Sequence, residues 1–279
     1  MQLTCRGTAV PLENVAVMGV LNVTPDSFSD GGLWLDPDAA IKHGIEMATQ
    51  GAAIIDVGGE STRPGAEAVT TDEELRRVLP VIEGLVDEID APISIDTRKP
   101  AVAERAVTAG AAIINDTAGE ASERHMDRLA AESGAAIVVM HSRGTPATMR
   151  SLTDYGDVVT HVRDFLARRA EELQALGIAG DAFALDPGIG FAKNPEQNMV
   201  LLQRLDVITQ LEPPILIGTS RKSFIGAALD LPEDQRLEGS IATVVMSVMK
   251  GAALVRVHDV EPTVRAVRMT EAILAAGPR

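Results

Sequence analysis

Aromatic side chains make up only 3% of the 279 residues, so a core has to be built from Ala, Val, Ile, Leu and Met, which suits strands and helices packed in alternating layers. Cysteine is almost missing. Cys5, the single one, cannot close an intrachain disulfide, and a reducing cytoplasm is the expected compartment. Residues 1–15 lack the basic and apolar regions of a signal peptide. No run of about 18 apolar residues occurs, and the most apolar late segment, 241–257, is broken by Lys250 and Arg256, so no membrane span is expected. Positive charge is also short: 25 Lys and Arg stand against 40 Asp and Glu, a formal net charge of -15. That field repels nucleic acid and anionic membranes, and any anionic substrate needs cations gathered locally. What is abundant is aliphatic. With 46% hydrophobic and 23% charged residues, the chain can bury the core of one large barrel or of two smaller domains.

A short phrase recurs after helix-like segments: Gly51-Ala-Ala-Ile-Ile, Gly110-Ala-Ala-Ile-Ile, Gly134-Ala-Ala-Ile-Val and Gly251-Ala-Ala-Leu-Val. Glycine ends a helix cheaply in the left-handed conformation, and the β-branched run behind it suits a strand buried on both faces, as in parallel sheets. Counting related segments gives eight strand cores, at 15–23, 53–58, 92–96, 111–116, 135–141, 182–186, 214–220 and 252–258. Amphipathic stretches at 72–89, 100–109, 154–176 and 262–275 lie between or after them. Such an alternation points to a single (β/α)8 TIM barrel over residues 1–279 more than to an open doubly wound sheet. The long connections, 24–35, 60–71, 142–153 and 221–238, all follow strand ends, where barrels build their sites.

Polar residues stand at nearly every strand end: Asn22, Asp56, Asp96, Asn115 with Asp116, His141, Asp186, Ser220 with Arg221 and Lys222, and Arg256 with His258. One such residue alone is more often a helix cap or turn former. Barrel closure gathers all the ends round one mouth, so their joint occurrence points to a site. Asp96, Asn115 and Asp186 can match a ring edge with several N–H donors, such as the aminopyrimidinone of a pterin. Direct Mg2+ binding is the rival reading, although no acidic cluster of metal-ligand spacing accompanies them. Arg63, from one strand end, and Arg256 with His258, from another, would make a pocket for pyrophosphate, whereas Arg76, Arg77, Arg168 and Arg169 on helix faces read as surface salt bridges. Neither Gly58-Gly59 nor Gly31-Gly32 completes a nucleotide-binding fingerprint.

At these residues a family resemblance emerges. Met18-Gly-Val-Leu-Asn-Val-Thr-Pro-Asp-Ser-Phe-Ser-Asp-Gly-Gly32 resembles the first signature of the dihydropteroate synthases, and Asp56-Val-Gly-Gly-Glu-Ser-Thr-Arg-Pro-Gly65 is similar to their second. Ser94-Ile-Asp-Thr, Ile114-Asn-Asp, Leu185-Asp-Pro-Gly-Ile-Gly-Phe191, Ser220-Arg-Lys and Arg256-Val-His-Asp follow in family order. The resemblance implies condensation of 6-hydroxymethyl-7,8-dihydropterin pyrophosphate with p-aminobenzoate, in a cytoplasmic homodimer that uses Mg2+ and small-molecule substrates. It implies that Asp96, Asn115, Asp186 and Lys222 hold the pterin with Met140 against its ring, and that Asn22 binds Mg2+ bridged to the pyrophosphate. Arg63, Arg256 and His258 would take phosphate oxygens, and Phe28, Thr62, Pro64, Phe191 and Ser220 would form the p-aminobenzoate pocket. Asp96, Lys222 and Arg63 are the expected catalytic residues. No triad or covalent nucleophile is expected, because the attacking aniline nitrogen is neutral and needs no strong base.

The chain departs from the family pattern at Thr117, where a branched apolar residue is expected, in the following Ala118-Gly-Glu-Ala-Ser-Glu-Arg124, and at Ser142, where many members carry methionine. These changes touch the pterin wall. Two rival functions would use similar residues: a pterin-dependent methyltransferase serving a corrinoid protein, and a non-catalytic pterin-binding paralogue. The Ser-Thr-Arg-Pro loop counts against the first, and the presence of Asn22, Lys222 and Arg256 against the second. Cys5 and Trp34 read as structural or surface residues.

Overall fold

The computed structural model describes residues 1–24, 36–61, 68–122 and 124–277. It opens with a hairpin that the sequence reading does not anticipate: β1 (Gln2–Cys5) and β2 (Thr8–Pro11) pair antiparallel. Their turn residues Arg6 and Gly7 both have positive φ, 47° and 84°, the geometry whose twist matches that of two paired strands. From there strand and helix alternate through β3 (Ala16–Asn22), α1 (Pro37–Thr49), β4 (Ile54–Gly58), α2 (Thr71–Val86), β5 (Ile93–Thr97), α3 (Pro100–Thr108), β6 (Ile113–Asp116), α4 (His125–Ser133), β7 (Ala136–Met140), α5 (Val158–Ala175), β8 (Phe183–Asp186), α6 (Pro195–Gln203), β9 (Leu216–Ile217), α7 (Ser223–Leu229), α8 (Leu237–Met249), β10 (Leu254–Val257) and α9 (Val260–Ala275).

Strands β3 to β10 form one eight-stranded sheet in the order β8-β7-β6-β5-β4-β3-β10-β9, with parallel pairing throughout. A parallel bridge between Leu185 and Ile215 joins its two ends, which closes the expected barrel. All the expected strands are present, though shortened. The largest correction is at 214–220, where only Leu216–Ile217 is strand. Pro214 has no N–H to offer a ladder, and Ser220 turns its hydroxyl to His258. The connection 221–238 also proves to contain helix α7.

Alternation along each strand separates two cores. Ile55 and Val57 of β4, Ile93 and Ile95 of β5, and Val255 and Val257 of β10 point outward and pack with the helices. The other set points into the barrel: Ala16, Met18, Ile54, Ile113, Ala136, Val138, Ala184, Leu216 and Leu254 join Leu3, Cys5, Val10 and Leu12 of the hairpin region in one buried cluster. The hairpin thus plugs the end of the barrel opposite the strand C-termini, and Cys5 is a buried structural residue there. Above this apolar filling the inward positions become polar, which is what creates the site.

One expected surface charge is instead interior. Arg76 and Arg77 pair with Glu73, and Arg168 with Glu172, but Arg169 is fully buried. Its guanidinium donates to Asp127 at 2.7 and 3.0 Å and to Glu172 at 2.6 Å, so the charge enters the α4–α5 contact already paired. Among the described residues no helix is long and apolar enough to cross a membrane.

Candidate active site

The polar layer is set by the same period of two. Asp56 on β4, Asp96 on β5, Asn115 on β6, Asp186 on β8 and Arg256 on β10 all occupy inward positions two residues beyond an apolar or small inward neighbour. Asp96 lies opposite Asn115 in the β5–β6 register, and Met140 lies opposite Asp186 in the β7–β8 register. Arg256 crosses the mouth. Its Nε donates to Asp56 at 2.6 Å and a terminal nitrogen donates to Asp96 at 2.6 Å, while Asn115 also donates to Asp56, at 3.0 Å. Asp56, which the sequence reading places at the mouth without a role, is therefore the fully buried acceptor that orients two of its neighbours.

Burial raises Asp96 well above the ordinary carboxylate range, opposed by Arg256 and reinforced by Asp56. Burial also pulls at Arg256, but the two carboxylates outweigh it and hold the guanidinium above its usual value. Asp186 is likewise raised by burial, against the attraction of Lys222, and burial brings Lys222 down to about 8. The mouth thus presses carboxylates toward neutrality and lysines toward loss of charge, an environment that a ligand with both N–H donors and phosphate relieves.

Lys222 donates to the carbonyl of Ile189, and its Nζ stands 4.7 Å from the centre of the Phe191 ring. Ser220 Oγ accepts from the His258 backbone N–H at 3.2 Å and lies 3.0 Å from His258 Nδ1. Together with Asn22, Asp96 and Arg256, these residues line a cleft of about 330 Å³ at the C-terminal end of the barrel. Its location is the one barrels use for catalysis.

Two strand-end residues do not join it. Asp116 and His141 fall on the outward register: Asp116 caps the following turn by accepting from Ala118 N at 2.9 Å and Ser122 Oγ at 3.0 Å. His141 is buried under α5, with its ring 5.0 Å from that of Phe165. Arg221 does line the cleft, and its guanidinium pairs with Asp259 at 2.6 Å. Phe28, Trp34, Thr62, Arg63 and Pro64 lie outside the described residues.

Thr117, one of the departures from the family pattern, faces the site and donates to Asp96 at 3.3 Å, so a polar contact stands where an apolar wall is expected. The sequence reading also passes over Lys193, which is buried behind Phe191. The signal for it is weak, because a lysine seven residues past a short strand normally reads as a solvated loop residue.

As a metal ligand, Asn22 offers one neutral, partly exposed amide oxygen at the cleft. Such an oxygen fits a Mg2+ that keeps waters and phosphate ligands, and would not suffice for an all-protein cage. Among the described residues, the one group of three His or carboxylate side chains whose ligand atoms lie mutually within 4.8 Å is Glu120, His141 and His161, away from the mouth. The Arg143 guanidinium already serves that cluster as its cation, 3.0 Å from His161 Nε2 and 3.5 Å from Glu120.

Comparison with known proteins matches residues 18–258 to the family described as pterin binding enzyme. The dihydropteroate synthase of Escherichia coli is 45% identical over 276 residues, covering 99% of this chain and 98% of that protein. A Yersinia pestis dihydropteroate synthase, crystallised as a sulfonamide drug complex, superposes with a TM-score of 0.94 at 44% identity, covering 99% of this chain and 100% of that one. The Xanthomonas albilineans dihydropteroate synthase with 4-aminobenzoic acid gives a TM-score of 0.91 at 42% identity, over 99% of each chain.

Proposed function

The chain belongs to the pterin-binding enzyme family as a dihydropteroate synthase, and from that premise we propose how its residues divide the reaction between them. The enzyme condenses 6-hydroxymethyl-7,8-dihydropterin pyrophosphate with p-aminobenzoate, giving 7,8-dihydropteroate and pyrophosphate. Asp96, Asn115 and Asp186 take the N–H donors of the pterin, Lys222 supplies a donor of its own, and Met140 packs against the ring. The observation that carries this assignment is the convergence of Asp96, Asn115 and Asp186 from β5, β6 and β8 onto one desolvated inward layer. There, charge-assisted hydrogen bonds are strong and selective.

Arg63, Arg256 and His258 address the pyrophosphate. Arg256 donates to Asp96 through one terminal nitrogen and to Asp56 through Nε; pterin N–H groups that took over Asp96 would turn that terminal nitrogen toward phosphate while Nε stays on Asp56. Asn22 is the residue that would hold Mg2+, which when bound supplies positive charge beside the leaving pyrophosphate. The methylene C–O bond breaks with its electron pair leaving on pyrophosphate, and Asp96 and Asp186 stabilise the electron-poor pterin that remains. The p-aminobenzoate nitrogen, held in a pocket of Phe28, Thr62, Pro64, Phe191 and Ser220, then forms the new C–N bond and gives up a proton to solvent. Asp96, Lys222 and Arg63 are the catalytic residues in this scheme.

Two coarser features complete the reading. Neighbouring helices α8 and α9 expose Met246, Met249, Met269 and Ile273, which supports a homodimer through this side. The buried free thiol of Cys5, which burial raises to about 12, is in keeping with a cytoplasmic protein. A turnover assay with the pterin pyrophosphate and p-aminobenzoate tests the function: dihydropteroate and pyrophosphate should form in equal amounts. Binding of the pterin without any product would support the non-catalytic paralogue instead.

A further inference from the structure

Lys193 has no part in the scheme above, yet it is the most extensively bonded lysine near the mouth. It is 7% exposed. Its Nζ donates to the carbonyl oxygens of Gly188 and Phe191, each at 2.9 Å, and lies 2.9 Å from His141 Nδ1 and 3.4 Å from the His141 carbonyl. These partners are all neutral, since burial holds His141 far below its ordinary value. Burial also brings Lys193 itself down to about 7, against the attraction of the more distant Asp186. A desolvated ammonium bonded only to neutral groups works against folding, so its place in the structure calls for another explanation.

The turn it grips joins two subsites. Asp186 ends β8 on the pterin side, and Phe191 stands at the far end of the turn, under Lys222. Around Phe191 the backbone is contorted: Gly188, Gly190 and Ala192 have φ of 65°, 86° and 48°. For Ala192, which carries a side chain, that region is strained, and such strain persists only where neighbours over-determine it. The neighbours here are identifiable. Asp186 accepts from Gly188 N–H at 2.7 Å, Asn198 accepts from Gly190 N–H at 2.7 Å, and Lys193 ties the carbonyls on both sides of these groups back to His141. The fit against the residue that follows β7 is close, because a Cβ on Gly188 would sit 1.9 Å from the His141 carbonyl oxygen.

We propose that Lys193 is a positioning residue for the condensation: its ammonium locks the 188–191 turn against His141, so that Asp186 and Phe191 present the two substrates in one fixed relation. The proposal rests on the assignment of Asp186 to the pterin and Phe191 to p-aminobenzoate. Lys193 acts through the turn, from behind it. It also gives His141 a function, as the anchor just past the end of β7.

Lys193→Met tests it, because methionine keeps the length of the side chain while removing the charge and its donors. The variant should fold, since relief of a desolvated ammonium offsets the loss of its hydrogen bonds to the turn. The KM for p-aminobenzoate and the Kd for the pterin pyrophosphate should each rise about tenfold or more, and kcat should fall by about a hundredfold, as expected when reacting groups lose their mutual placement. Wild-type constants in a folded variant overturn the proposal, as does a lowered melting temperature with unchanged constants, which would mean a merely structural role. Asn198→Ala releases Gly190 from the other side of the same turn and serves if Lys193→Met does not fold; an unchanged KM for p-aminobenzoate there contradicts the clamp. Asp186→Asn measured alongside separates the two claims. Normal pterin binding in Asp186→Asn means that the pterin assignment has failed, whereas impaired Asp186→Asn beside normal Lys193→Met overturns the clamp alone.

Discussion

Lys222 illustrates at the scale of one residue how the mouth sets function against stability. Burial lowers it from 10.5 to about 8, with Asp186 opposing. The folded value lies below the unfolded one, so folding disfavours the ammonium; the resulting destabilisation is complete below about pH 8 and fades as the pH rises to 10.5, where the unfolded chain gives up the same proton. Lys222→Met should therefore melt above the wild type near neutral pH, with a margin that narrows between pH 8 and 10.5, and should bind the pterin less tightly. Thermal melts across that window check it. A margin that stays constant with pH would contradict the account. Other residues at this scale were only half legible. The sequence placed polar groups at the strand ends, but a one-residue difference in register separates Asp186, which enters the barrel, from His141, which leaves it. Strand bounds read from composition are not sharp enough to settle that parity.

At the scale of elements, what could be read was periodic and what was missed was not. The recurring Gly-Ala-Ala phrase marks helix stop and strand start, and each of its four copies leads into a barrel strand: β4, β6, β7 and β10. The β1–β2 hairpin carries no such mark, since its strands are four residues long and its Arg6-Gly7 turn lacks the usual Asn or Asp. Yet this hairpin closes the barrel floor. Leu3, fully buried among inward residues of the strands, should cost about 2–5 kcal/mol when truncated to alanine, through lost transfer energy and the cavity left behind. Chemical denaturation measures that cost. Steady-state kinetics on the same Leu3→Ala sample should give KM values like those of the wild type, because the floor and the mouth lie at opposite ends of the strands. A stable Leu3→Ala with altered KM would show that the hairpin shapes the site. At the mouth, Gly188→Ala is expected to do the reverse: its Cβ would meet the His141 carbonyl at 1.9 Å and its φ is 65°, so pterin binding should be lost with the disturbed turn. Normal binding in a folded Gly188→Ala would show that the turn has room to shift.

For the whole molecule, a net charge of -15 makes the gathered cations of the mouth the more telling, because an anionic substrate is otherwise repelled. That concentration of charge, with the single neutral ligand Asn22, leads to the expectation that EDTA stops turnover and that Mg2+ restores it. Full turnover in thoroughly demetallated protein would remove Asn22 from its assigned role. The proposed homodimer is tested at the exposed apolar residues of α8 and α9: the wild type should sediment as a dimer, and Met249→Lys with Ile273→Lys should shift it to monomer with the melting curve of each chain little changed. Sedimentation as an unaltered dimer would place the interface elsewhere. The central claim, however, is that the inward polar layer of the barrel is the pterin site, and calorimetric titration of the pterin pyrophosphate into the wild type, Asp96→Asn and Asp186→Asn tests it most directly. Each variant should lose about 1.5–3 kcal/mol of binding free energy, the worth of a hydrogen bond to a charged group, with its circular dichroism unchanged. Wild-type affinity in both folded variants would contradict the account.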